Sequence, residues 1–168
     1  REALEAVAAM ERLAQRLVEA QRILSRILPL EDGAFDGALD TRSGLLLDGF
    51  RTRFAELEDV TGRMVVPLAA QQDGMPVPAG EAPPVADALQ WLADQGVLDA
   101  EAWREMREVR NQLAHPEPGD GPDRAELLNR AWAQTAELLA TAERLGARLR
   151  AGLGQQGGGR RKSGAQTT

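Results

Sequence analysis

Arg110, Asn111 and His115 lie at the end of one helical segment and are the residues whose types and spacing could do chemistry together. An unperturbed histidine titrates at about 6.5 and moves protons at neutral pH. A guanidinium beside it can neutralise charge building on a phosphoryl group. Such a pair suits metal-free cleavage of RNA, in which the 2′-hydroxyl is the internal nucleophile and the protein only transfers protons and holds the phosphorane. The chain has no cysteine, no tyrosine and one histidine. Thiolate nucleophiles, cysteine zinc sites and two-histidine metal cages are thereby excluded.

Arg110 stands out by its place on the helix. At 100° per residue, Trp103, Met106, Val109 and Leu113 form one apolar stripe, and Arg110 falls inside it between Met106 and Trp103. A guanidinium buried without a partner costs several kcal/mol, so it must reach an acid, an interface or an anionic ligand. The plain alternative is an acid on the second helix. His115 precedes Pro116, which pushes it out of helical geometry and frees the imidazole to swing back toward Arg110. Taken singly, His115 could merely sit at the negative end of the helix dipole, and Asn111 could be a surface amide.

Five helical segments must position these residues. Ala3, Val7, Met10, Ala14, Leu17, Gln21, Leu24 and Leu28 form a heptad seam ending before Pro29. A glycine-bearing loop over Glu31–Gly44 follows, with Ser43 as the expected N-cap. A second seam comprises Leu47, Phe50, Phe54, Leu57, Thr61, Met64 and Leu68, and Pro67 is expected to kink or stop it. Past a proline-rich loop over Gln71–Pro84, a short helix runs from Val85 to Gln95 and closes at Gly96. Asp99 caps the helix that ends near Ala114. Asp123 and Glu126 make a capping box for the last, whose seam of Leu128, Ala131, Thr135, Leu138, Ala142, Leu145 and Leu149 runs to about Arg150. No segment alternates with a strand period. The expected fold is an all-α, antiparallel up-and-down bundle of about five helices over residues 1–150, followed by a disordered, glycine-rich basic tail over 151–168.

Charge narrows the partners. The chain holds 26 acids and 20 bases, of which Lys162 is the only lysine. Up to Arg150 the balance is 17 bases against 26 acids, a net of −9, so bulk charge does not draw nucleic acid and no DNA binding is expected. Any RNA contact must rest on a local field, for which Arg104 and Arg107 on the helix of Arg110 are the candidates. No run of about 18 uncharged apolar residues exists, so no membrane span is expected. The first segment has no apolar signal core, and a cytoplasmic location follows as an expectation. No cofactor is expected. Trp91, Trp103 and Trp132 fall on apolar helix faces and are expected in the core. Ser43 lacks the flanking glycines of a nucleophile elbow, and a bundle metal site would need Glu-x-x-His pairs, whereas Gln112 stands three residues before His115.

The run Arg110-Asn-Gln-Leu-Ala-His115 resembles the arginine-asparagine-three-residue-histidine motif of HEPN domains, and the preceding Trp91-Leu-Ala-Asp-Gln-Gly-Val-Leu98 resembles the hairpin that leads into it. The resemblance covers residues 85–116 and agrees with the helical layout. It implies a homodimeric bundle whose two motifs face each other across a cleft, with Arg110 and His115 catalytic and Asn111 supporting. It further implies a metal-independent endoribonuclease like the toxins of the HepT-like branch, whose antitoxin partner is a small nucleotidyltransferase. That branch shows a tyrosine two residues after the histidine, where this chain has Glu117. Neutralisation by modification of that tyrosine is not available here. A second class also fits the residues: a catalytically silent module of HEPN type that binds a nucleotide or a partner protein through Arg110 and His115.

Overall fold

The computed structural model describes residues 1–31, 40–114 and 124–159, with side chains as far as Leu153. Five helices make up these residues: α1 (Glu2–Leu24), α2 (41–72), α3 (Val85–Asp94), α4 (Ala100–Ala114) and α5 (Arg124–Gly159). No strand is present among them, and no helix is long and apolar enough to cross a membrane. The fold is an all-α antiparallel bundle.

Paired side chains give the directions. Glu11 in the first half of α1 bonds Arg150 in the second half of α5, whereas Leu30, beyond the end of α1, meets Asn129 near the start of α5. Those two helices are therefore antiparallel. Arg51 meets the Leu113 carbonyl and Glu58 meets Arg110, so α2 and α4 are antiparallel as well. The core between the long helices holds Met10, Leu17 and Leu24 of α1, Leu47, Phe50, Phe54 and Leu57 of α2, and Trp103, Met106 and Val109 of α4. All seven members of the α5 seam are buried as expected. Phe50 meets Trp132 edge-on at 5.7 Å between ring centroids, a favoured aromatic arrangement.

Helix ends follow local chemistry. Asp40, not Ser43, caps α2: its carboxylate accepts from the Ser43 amide at 2.7 Å, which makes Ser43 the third helical residue. Both are capping types, and the first of the two in the chain takes the position. Gly96, at φ +67°, ends α3, and the Val97 amide donates back to the Leu92 carbonyl at 2.9 Å. Val97 and Leu98 then enter the core, and Asp99 caps α4 through the Glu101 and Ala102 amides, as expected. The backbone of Leu30 is clasped by the Asn129 amide, which accepts from its N–H at 2.6 Å and donates to its carbonyl at 2.8 Å. The last helix passes the expected end at Arg150 and continues to Gly159. Asp123 and residues 160–168 lie outside the described residues, so the capping box and the rest of the tail do too.

The main departure from the expected pattern lies inside α2. Pro67 neither stops nor sharply ends the helix, which runs on to Gln72. Proline lacks an N–H, and its ring crowds the carbonyl four residues back, here that of Arg63. One π-helical turn over Thr61–Val65 widens the backbone at this point, and the Val66 amide bonds the Thr61 carbonyl five residues back. The inserted residue moves the buried face on by one position. Val65, Val66, Ala69 and Ala70 fill the core, whereas Met64, which the seam places inside, is 46% exposed.

This shift predicts an inversion of the cost of truncation. Val65→Ala should lower unfolding free energy by about 2 kcal/mol and Met64→Ala by less than about 0.5 kcal/mol in urea titrations. The opposite order would mean that α2 keeps a regular seam.

Candidate functional site

Gly62 of α2 faces Trp103 of α4. A Cβ at position 62 would lie 3.1 Å from Cζ2 of the fully buried indole. The missing side chain lets the two helices close on each other, and the acids one turn before Gly62 come within reach of α4.

Arg110 is held there on three sides. Its Nε donates to Glu58 Oε2 at 2.8 Å, its Nη2 to Asp59 Oδ1 at 2.7 Å, and its Nη1 to Asn111 Oδ1 at 2.9 Å. The Glu58 side chain is 3% exposed and that of Arg110 22%. The requirement that an arginine inside an apolar stripe find an acid is met by two consecutive acids of the second helix. Asp59 also reaches Arg63, whose Nη1 lies 3.5 Å from its Oδ2. Arg107 lines the same cleft and favours the ionised form of Glu58. The cleft therefore carries three guanidinium groups, of Arg63, Arg107 and Arg110, against two carboxylates. Its cavity volume is only about 10 Å³, so a nucleotide would lie across it and not within it.

Burial pushes the Glu58 carboxyl above the usual carboxylate range, against the opposing hydrogen bond and charge of Arg110. Taking the carboxylate out of water thus outweighs what its partner returns, as is common for buried pairs.

The other expected residues are distributed unevenly. Asn111 is exposed and orients Arg110 directly. Arg107 stands in the cleft, whereas Arg104 turns to Glu101 at 2.6 Å on the open face of α4 and does not line it. His115 and Glu117 lie outside the described residues. The last described turn of α4 is secured by Arg51, which donates to the Leu113 carbonyl at 3.2 Å, two residues before His115. Among the described residues, no three of histidine, cysteine, aspartate and glutamate are grouped so as to hold a metal ion. Trp103 is buried, and Trp91 and Trp132 pack against the core, as expected of all three.

No family model, curated protein or solved structure matches this chain.

Glu58, Asp59, Gly62 and Arg63 did not emerge from the sequence reading. Their signal was a glycine in mid-helix, which marks close backbone approach, one turn after an acid that flanks the seam position Leu57.

Two outcomes are expected from these contacts. A folded-state pKa above the unfolded value means that the native protein binds this proton more tightly. Its contribution to stability is complete below the ordinary glutamate range and is lost as pH rises through the raised value. Glu58→Gln does not titrate, so the difference in melting temperature between variant and wild type should change in the variant's favour as pH rises from about 4 to 8. A constant difference would show that Glu58 does not carry the linkage. Separately, Gly62→Val should force Trp103 away and cost about 1–3 kcal/mol in denaturant titrations, whereas Gly49→Ala, which meets nothing within 4 Å, should not destabilise.

Proposed function

We propose that the chain is a metal-independent endoribonuclease of HEPN type, acting as a homodimer in the manner of a bacterial toxin with a nucleotidyltransferase-type antitoxin. The observation that carries this reading is the seating of Arg110. A guanidinium in an apolar stripe is anchored by Glu58 and Asp59 at the cleft that Arg63 and Arg107 flank, and it stands five residues before the only histidine of the chain. Arg110 would neutralise the phosphorane and His115 would transfer protons, with Asn111 steadying the guanidinium. The local cations supply what an acidic body withholds from RNA, and a second copy would double them.

One observation favours the silent binding module instead. Nε, Nη1 and Nη2 of Arg110 are each bonded within the protein, which is also how a purely structural arginine is held.

Growth after induced expression, together with cleavage of tRNA and mRNA in EDTA by purified protein, separates the two. The nuclease should arrest growth and cut RNA in EDTA, and His115→Ala should abolish both. Removing Arg110 outright strands a buried acid, at about 3–5 kcal/mol, so Arg110→Lys is the informative change: it keeps a charge for Glu58 but lacks the fork that spans Glu58 and Asp59. It should cost about 100-fold in rate with the fold intact. Normal growth and intact RNA would leave the binding module.

A further inference from the structure

Glu58 is an expensive residue for the fold alone. It lies beside Leu57 and Gly62 and close to Trp103, where an apolar side chain would pack without a desolvation cost. Among the described residues Arg110 alone bonds its carboxylate. Arg110, for its part, does not need Glu58 for its charge to be answered, because Asp59 already accepts from Nη2.

What Glu58 adds is direction. The bond from Nε fixes the inner edge of the guanidinium plane, and the bonds from Nη2 and Nη1 use one N–H of each. Of the five N–H groups of an arginine, two remain, one on each terminal nitrogen. We propose that Glu58 is a positioning residue: through Arg110 it aims these two N–H groups at an RNA phosphate lying across the cleft between Arg63 and Arg107. This rests on the ribonuclease reading for its substrate. The ligand is an anion because the cleft carries three guanidiniums, of Arg63, Arg107 and Arg110, against the two carboxylates of Glu58 and Asp59, and both terminal nitrogens of Arg110 keep an N–H for a phosphate oxygen. The small cavity suits a backbone contact over a buried base. On this account Glu58 is kept at a cost in stability because it serves the site.

The test uses the full chain as wild type, Glu58→Gln, Arg110→Lys and the double variant. Glutamine keeps an oxygen that can accept from Nε but gives up the charge, and Asp59 continues to hold Arg110, so the variant should fold. Three readouts are taken: melting temperature, cleavage of unmodified RNA in EDTA, and binding of a 2′-O-methyl RNA of the same sequence, which cannot be cut through its own 2′-hydroxyl. A positioning role predicts that at neutral pH Glu58→Gln melts no lower than wild type, yet cuts about 100-fold more slowly, with the loss in kcat. In the Arg110→Lys background the same change should have little further effect on cleavage. A lower melting temperature with full activity, or equal losses in both backgrounds, would overturn the proposal. If the wild type cuts no RNA, the ribonuclease reading fails by itself. Weaker binding of the 2′-O-methyl RNA by both single variants would then keep Glu58 as the positioning residue of a binding site, and unchanged binding would remove that role as well.

Discussion

The ion pair between Glu58 and Arg110 is the constraint around which the rest of the site is arranged. It joins two antiparallel helices at a buried point and can form only if they come close. Gly62 supplies that closeness, Trp103 fills the space left by the missing side chain, and Asp59 accepts from a second nitrogen of the same guanidinium. The same contact sets the local electrostatics. Two acids answer one arginine, so the cleft remains cationic only because Arg63 and Arg107 stand at its margins.

The widened turn of α2 belongs to this arrangement. It begins two residues after Asp59, so the helix before it keeps the phase that directs Glu58 inward. The helix beyond it turns by one residue and buries Val65 and Val66 in place of Met64. A regular α2 would keep its earlier half against α4 and misplace its later half. Pro67 makes the adjustment necessary and the π-turn makes it tolerable.

Much of the architecture was legible in the residues. Seams at steps of three and four gave the long helices, and both Gly96 and Asp99 acted where their chemistry places them. Arg110 could be singled out as a charge in an apolar stripe, and the existence of an acid for it could be inferred from the cost of leaving it alone. The identity of that acid could not be, because spacing along α4 carries no information about which turn of α2 lies opposite. Asp40 displaced Ser43 since two capping residues three apart compete for one helix start. Met64 was misplaced because heptad counting assumes a constant number of residues per turn, and one extra residue rotates everything after it. The resemblance of Arg110-Asn-Gln-Leu-Ala-His115 to the HEPN motif supplies the chemistry, whereas the geometry of Glu58 and Asp59 was visible only in the folded chain.

The clasp between Asn129 and Leu30 has a bearing on how the molecule is made. It bridges 99 residues, and the contact of Glu11 with Arg150 bridges 139. α1 can pack against α2 early, but the rest of its apolar face is covered only by α5, about a hundred residues further along. A nascent or truncated chain ending before Asn129 already contains Glu58 and Arg110, but it lacks α5, against which both α1 and α2 pack. The bundle is therefore closed only when α5 is added, and fragments that lack it leave apolar faces of α1 and α2 uncovered and are candidates for proteolysis.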